Sequence, residues 1–455
     1  MLPVTVETIA RLTGGCLVDV DDDQVMVTGP VVMDSRLITP GGVFCAFDGA
    51  HVDGHAFAAA AVAAGAAVVL ASRPVGVPAV VVDDVQTALG ALAAGVLREL
   101  PAVVVAVTGS AGKTSTKDLL GQVLADVATT IAPVGSFNNE LGLPLTVLRA
   151  DEHTRFLVLE MGARGKGHIT YLTTIAPPKV AVVTNVGHAH AGEFGGPEKI
   201  AEAKAELVEA LGPDGIAVLN ADDPLVAAMA SRTRGQVITY GTAPDAVVRA
   251  EDVALDELAR PSFTLVAPGG QAPVRLRLHG AHHVSNALAA AGAAHALGVG
   301  VRQIATSLSA ARQLSGGRME VTTRPDGVTV VNDAYNANPE SVRAALRAVE
   351  VLAGGRRQVV VLGAMRELGE DSPAAHRDIG ELAARQATVV VTVGDGPEAA
   401  ALAEGTGPGV LAAVDVPAAL ELLGGVLRAG DVVLVKASNG VGLCELARQL
   451  AEPHR

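Results

Sequence analysis

Val103-Val104-Val105-Ala106-Val107-Thr108-Gly109-Ser110-Ala111-Gly112-Lys113-Thr114-Ser115 is the stretch on which the reading of the whole chain turns. Its first five residues are apolar and β-branch-rich, the signature of a strand buried on both faces. The strand runs directly into a glycine turn and then into TSTKDLLGQVLADV, which has helical spacing. Strand, glycine turn and a helix beginning Lys-Thr together make a phosphate cradle. Glycines let backbone N–H groups converge on phosphate oxygens, and the helix N-terminus adds partial positive charge. In that reading Thr108, Gly109, Ser110, Ala111, Gly112 and Ser115 form the cradle. Lys113 bridges the outer phosphates, and the Thr114 hydroxyl holds Mg²⁺. The strict GxxxxGK[ST] spacing is not met, because its first glycine position is Val107, so the loop is a shortened one. The competing reading is a glycine turn with a surface lysine, and the flanking strand and helix favour the cradle.

Outward from this loop, short β-branched runs alternate with Ala/Leu-rich helical stretches, the pattern of parallel α/β sheets. Residues 1–100 contain VMVTGPVV (25–32), VFCAF (43–47), AVVLAS (67–72) and AVVV (79–82), and Pro101 ends the helical stretch that closes the segment. Residues 101–315 add LVLEM (157–161), VAVVTNV (180–186) and AVLN (217–220), then a meander between about 241 and 280. Gly316-Gly317 marks a break. Residues 316–455 carry VTVVNDA, QVVVLGA, TVVVTVG and DVVLVKAS, each followed by a helical stretch, a third α/β unit. At 455 residues the chain is too long for one core, and several domains are expected.

Composition narrows the function. A net charge of -14 and ten aromatic residues without tryptophan (seven Phe, three Tyr) argue against a general nucleic-acid surface. Cys16, Cys45 and Cys444 are widely spaced and form no CxxC, which points away from disulfides and zinc and toward a reducing cytoplasm. The N-terminus has an acidic residue where a signal peptide carries basic ones, and the apolar run 56–72 is too short and too Ala/Gly-rich to span a bilayer. A cytoplasmic monomer that neither inserts in a membrane nor binds nucleic acid is expected.

In a parallel sheet, ligands gather beyond the carboxyl ends of the strands. Glu160 ends the run FLVLE, where an acid can hold Mg²⁺ or a water on it. The run VAVVTNV leads to His188 and His190; two histidines in one loop are either metal ligands or simply solvated, and beside a phosphate loop His190 becomes a candidate Mg²⁺ ligand. In PEKIAEAKAELVEAL, the three- and four-residue neighbours of Lys204 are Ile200, Ala201, Leu207 and Val208, all apolar, whereas Lys199 lies on the solvated face. An amine aimed into an apolar stripe has a lowered pKa. When neutral it can react with CO₂ to give a carbamate, which reverses its charge. The alternative, a lysine snorkelling to the helix edge, stays open on these residues alone.

Taken together the motifs resemble the Mur ligases, and among them the dipeptide-adding members. TGSAGKTSTK, PVGSFNNELGLPLTVL, LEMGARGKGHITYL, TNVGHAHAGEFG, EAKAELVEAL, LNADDP, HHVSNALAAA, GRMEV and NDAYNANPES follow in family order, and VMDSRLITPGGVFCAFDGAHVDGHAF resembles a UDP-sugar domain. The resemblance implies a three-domain α/β architecture: a UDP-sugar-binding domain over 1–100, a central ATP-binding P-loop domain over 101–315 and a Rossmann-like domain over 316–455. It implies ATP, two Mg²⁺ ions, UDP-MurNAc-tripeptide and D-Ala-D-Ala as ligands, with an amide bond made through an acyl phosphate. By the same resemblance Lys113, Lys204 and His190 are catalytic, Thr114, Glu160, His190 and a carbamylated Lys204 hold metal, and Asn139, Asn286, Arg318 and Asp333 grip the nucleotide. Ser35, Arg36, Asp53 and His55 fall in the UDP-sugar region. Departures are His283 and Asn439, where asparagine and a basic residue respectively are usual, and Ala364 in place of a common aspartate. The Asp-Asn-Pro-Arg motif of the diamino-acid-adding sibling is absent, which favours the dipeptide. A sibling that adds a diamino acid or glutamate would share the ATP site, and a P-loop kinase would hydrolyse ATP without an amine.

Overall fold

The computed structural model describes residues 2–49, 52–187 and 196–452. Three α/β sheets follow one another along the chain. The first has the order Cys16–Val18, Ala79–Val81, Ala66–Ala71, Gly42–Cys45, Val31–Val32, parallel except for the first pairing. The apolar run 25–32 does not form one strand. Met26–Val27 pairs with Val4–Thr5, and the chain turns at Gly29-Pro30 before Val31–Val32 joins the larger sheet. A Cβ on Gly29 would stand 2.6 Å from the Gly42 nitrogen, so this crossing admits only glycine.

The second sheet has nine strands, in the order Gly270–Arg275, Pro261–Ala267, Val248–Leu255, Gln236–Gly241, Ile216–Asn220, Val180–Val183, Val103–Thr108, Phe156–Glu160, Thr130–Ile131. It is parallel from Thr130–Ile131 to Val248–Leu255, and its last two pairings are antiparallel, the meander of the sequence. Alternation along Val103–Thr108 sends Val104 and Ala106 to one apolar core and Val105 and Val107 to the other. On one face lie the helices Lys113–Ala125 and His283–Ala296; on the other lie Gly142–Val147, His168–Ile175 and Pro197–Glu209. The core that holds Val104 and Ala106 also takes in Leu89 and Leu92 from the helix Val85–Arg98, so the first unit is fused to the central one through buried apolar side chains.

The third sheet runs Glu320–Thr323, Thr329–Asn332, Val432–Lys436, Gln358–Gly363, Val389–Val393, Leu411–Ala413, parallel after its first pairing. Val360, Leu362 and Leu434 face one layer of helices, and Val359, Val361 and Val433 the other. Among the described residues, no helix is long and apolar enough to cross a membrane. The strand ends Thr108 and Glu160 of the central sheet and Lys436 of the third sheet line one cleft, or adjoin residues that do, and this is where the candidate residues meet.

Candidate active site

The stretch 103–115 folds as strand, turn and helix, the local form that its sequence predicts. The strand ends at Thr108, four loop residues follow, and the helix begins at Lys113. Gly112 sits at φ 80°, and a Cβ there would stand 2.3 Å from Asn286 Oδ1; at Gly109, φ 149°, a Cβ would stand 1.8 Å from Thr184 Oγ1. Both positions combine a left-handed backbone with close neighbours, so both exclude a side chain. The extension of the neighbouring strand Val180–Val183 locks the loop from behind. Ser110 N–H donates to Asn185 O (3.0 Å), Ala111 N–H donates to Asn185 Oδ1 (2.9 Å), and Thr184 Oγ1 donates to Ala111 O (2.7 Å). Thr116 N–H closes the first helical turn on Gly112 O at 2.8 Å. The N–H groups of Lys113, Thr114 and Ser115, ahead of it, have no acceptor within the helix and are the donors that an anion would use.

Lys113 folds back to donate to Gly109 O at 2.7 Å. Burial lowers its pKa, and Glu160 works in the opposite direction. Glu160 is 1% exposed, and both its oxygens are engaged. Thr114 Oγ1 donates to Oε2 (2.6 Å), while Ser136 Oγ (2.9 Å) and Asn138 Nδ2 (2.7 Å) donate to Oε1. Burial alone would raise this carboxyl's pKa, but Lys113, Arg318 and the donors from Thr114 and Asn138 outweigh it and hold the group below the usual carboxylate range. Lys204 lines the same cleft, 3% exposed, with no hydrogen bond or ion pair among the described residues. Burial, reinforced by Lys113, brings its pKa down to about 7.

From the other wall, Arg318 stacks on the Tyr335 ring with its guanidinium carbon 4.3 Å from the centroid, and its buried Nε–H has no partner among the described residues. Asp333 accepts from Met319 N–H (3.0 Å) and from Lys436 Nζ (2.6 Å), which also donates to Asn336 O (2.9 Å). Asn286, 6% exposed, packs its amide between Gly112 and the His283 ring. Burial, with help from neighbouring His282 and His279, keeps His283 neutral. The cleft encloses about 640 Å³.

Residues 107–294 match the Mur ligase middle domain, residues 317–439 the glutamate ligase domain of the Mur ligases, and residues 30–99 the Mur ligase family catalytic domain. The UDP-N-acetylmuramoyl-tripeptide--D-alanyl-D-alanine ligase of Mycobacterium tuberculosis (strain H37Rv) is 49% identical over 99% of this chain and 98% of its own length. The chain belongs to the Mur ligase family. Two solved structures agree with it over their length. MurF of Acinetobacter baumannii superposes with a TM-score of 0.88 at 32% identity, covering 99% of each chain. MurF of Thermotoga maritima, in complex with ADP, superposes with a TM-score of 0.80 at 31% identity, covering 93% of this chain and 97% of that one.

In this Mur ligase the structure gathers Gly109, Ser110, Ala111, Gly112, Lys113, Thr114, Ser115, Asn139, Glu160, Lys204, Asn286, Arg318 and Asp333 around one cleft, with Thr108 buried just beneath the loop. Asn139 also has a local duty: its Oδ1 accepts from Gly142 N–H (2.9 Å) at the start of the helix Gly142–Val147. His190 lies outside the described residues. Ser35, Arg36, Asp53 and His55 do not line the cleft. Ser35 and Arg36 form an exposed turn with Asp34, and the buried His55 ring bridges Asp53 (2.7 Å) and Ser72 N–H (3.1 Å) within the first sheet's loops.

Four residues of this wall escaped sequence reading: Ser136 and Asn138 on Glu160, Tyr335 under Arg318, and Lys436 on Asp333. Only Lys436 carried a signal, as a charge closing the apolar run DVVLVK at a strand's carboxyl end. Lys117, fully buried, ties the phosphate-loop helix to the segment bearing Ser136 and Asn138 by donating to Pro133 O and Asp118.

Proposed function

We propose that this Mur ligase joins D-Ala-D-Ala to the tripeptide carboxylate of UDP-MurNAc-tripeptide, with ATP cleaved to ADP and phosphate. The observation that carries the reading is Glu160: a buried carboxylate held ionised against Thr114 at the N-terminus of the phosphate-loop helix, in one cleft with Lys113 and Lys204. The likeness to the mycobacterial ligase and the family's nucleotide-bound relative support the substrates and the use of ATP. The segments 1–100, 101–315 and 316–455 are read as the UDP-sugar, ATP and C-terminal domains, and the cytoplasm is the compartment this substrate set calls for.

Phosphoryl transfer requires two anions to meet. The carboxylate attacks the γ-phosphorus, the bond to ADP breaks, and an acyl phosphate forms. Lys113 and the free N–H groups at the helix start lower the repulsion between the two. The oxygen donors of Thr114 and Glu160 fit Mg²⁺, a hard cation that completes its shell with water and phosphate oxygens, and His190 is a further proposed ligand. When bound, Mg²⁺ offsets charge on the phosphates. Lys204, with its pKa near 7, is nucleophilic toward CO₂ at neutral pH, and a carbamate there would turn a cation beside Lys113 into a second anionic oxygen donor.

Phosphate release with UDP-MurNAc-tripeptide and ATP, with and without D-Ala-D-Ala, tests the reading. Release that depends on both substrates is expected. Release that ignores the dipeptide, or that responds instead to a diamino acid or glutamate, refutes it. For Lys204, replacement by alanine is expected to abolish turnover, with partial recovery on adding a short carboxylic acid; full activity without the acid would make the lysine structural.

A further inference from the structure

The loop 162–167 follows the strand that ends at Glu160 and is fastened at both ends. Gly162 N–H donates to Asn138 O (2.9 Å). Gly167, at φ 91°, donates its N–H to Oε1 of Glu206 (2.6 Å), and Thr170 N–H (2.9 Å) and Oγ1 (3.0 Å) donate to Oε2. Glu206 is 6% exposed and belongs to the helix that carries Lys204, so one helix places both the lysine and the loop. The Glu206 charge is met by the N-terminus of the helix His168–Ile175, a favourable place for an anion. That helix shares a core with Leu89 and Leu92 of the first unit, and a Cβ on Gly90 would stand 2.8 Å from the Tyr171 hydroxyl. The loop therefore belongs to the side of the cleft that adjoins the first unit, whereas Arg318, Asp333 and Lys436 come from the third.

Eight side chains that can carry positive charge line this cleft among the described residues. Lys113 donates to Gly109 O, Lys436 is paired with Asp333, and Arg318 lies over Tyr335. Burial depresses the pKa of Lys204, His282 and His283. His168 stands 3.6 Å from a carboxylate oxygen of Glu140. Arg164, on the fastened loop, is exposed, and its side chain has neither hydrogen bond nor ion pair among the described residues. A guanidinium carried on a fixed backbone, always charged and with its fork of donors free, is a receptor for a carboxylate. The carboxylate that ATP activates belongs to the third residue of the tripeptide, so that residue's side chain starts beside the phosphate loop, and Arg164 is four residues from Glu160. We propose that Arg164 binds a second carboxylate, at the end of the third residue's side chain. It thereby selects a tripeptide that ends in an amino-acid group, as diaminopimelate does, over one that ends in an amine alone, as lysine does. The ammonium of a diaminopimelate end has Glu140, beside His168, to meet. A lysine end brings its ammonium to the guanidinium with no carboxylate between them.

This assignment rests on the ligase reading proposed above. Wild type, Arg164→Ala and Arg164→Glu are each given ATP, Mg²⁺, D-Ala-D-Ala and UDP-MurNAc-tripeptide whose third residue is either diaminopimelate or lysine. Phosphate release supplies kcat and KM for each pair. Wild type is expected to favour the diaminopimelate form. In Arg164→Ala the ratio of the two kcat/KM values should fall roughly 10- to 150-fold, the worth of a hydrogen-bonded charge pair, chiefly through KM for the diaminopimelate form. Arg164→Glu should invert the preference, which a residue needed only for the loop's shape would not do. KM for D-Ala-D-Ala and the affinity for ADP should stay close to wild type in both variants. Three results overturn the assignment and leave the ligase reading intact: equal use of both tripeptides by wild type, a ratio unmoved by either substitution, or a loss that falls on the dipeptide or on ADP. A wild-type chain that ligates neither tripeptide refutes the ligase reading, and the role of Arg164 with it.

Discussion

Gly112→Ala is the sharpest probe of the phosphate loop, because two separate effects can be worked from the structure. At φ 80° an alanine is strained by roughly 1–2 kcal/mol relative to glycine. Its Cβ would also stand 2.3 Å from Asn286 Oδ1, a contact that cannot persist, so either the loop or the Asn286 side chain must move. Without nucleotide the loop can relax and relieve the strain; binding must then restore it. Adding roughly 1 kcal/mol for a hydrogen bond lost at Asn286 gives a total of about 2–3 kcal/mol. That corresponds to ADP binding weakened roughly 30- to 150-fold, measurable by titration calorimetry. Gly430→Ala is the control. It shares the left-handed backbone, φ 84°, but nothing lies within 4 Å of the new Cβ. It should lower unfolding stability by about 1–2 kcal/mol and leave ADP affinity untouched. If Gly112→Ala binds ADP within about twofold of wild type, the loop does not hold the phosphates as argued.

Lys204→Met should stabilise the fold in a pH-dependent way. The folded pKa of about 7 lies below the ordinary 10.5, so the unfolded chain binds the extra proton between those values and native stability rises with pH across that window. The variant's advantage is therefore full below about pH 7 and shrinks toward about pH 10; urea midpoints in carbonate-free buffer that differ by a constant amount would contradict it. Lys117→Met should cost about 3–5 kcal/mol in unfolding stability, since it removes one partner of a buried pair and leaves Asp118 and Pro133 O unsatisfied. An unchanged urea midpoint would refute that. Arg318→Lys keeps the charge but loses the planar stack on Tyr335, and should weaken ADP binding by about 1 kcal/mol, roughly fivefold. Equal affinity in the two proteins would remove Arg318 from the nucleotide site.

What could be read from the chain, and what could not, follows from the range over which each feature is encoded. The phosphate loop is written in thirteen consecutive residues, because strand, turn and helix start are each local choices of backbone conformation. The burial of Lys204 is likewise local: its neighbours three and four residues away are apolar, so the face it occupies is set by helix geometry. The run 25–32 misleads for the opposite reason. Its hydrophobicity predicts extended chain, yet Gly29-Pro30 divides it between two sheets whose partners are Val4–Thr5 and Val43–Phe44. The ion pair of Lys436 with Asp333 spans 103 residues, and the Ser136 and Asn138 bonds to Glu160 depend on a loop that Lys117 holds from the adjacent helix. No periodicity records such contacts, because they exist only once separate sheets have brought their carboxyl ends together. Glu367 is the extreme case. Its left-handed backbone sits in a loop that His376 and Ser438 tie down at Met365 and Arg366, so the sequence AMRELG offers no sign that the glutamate lines the cleft.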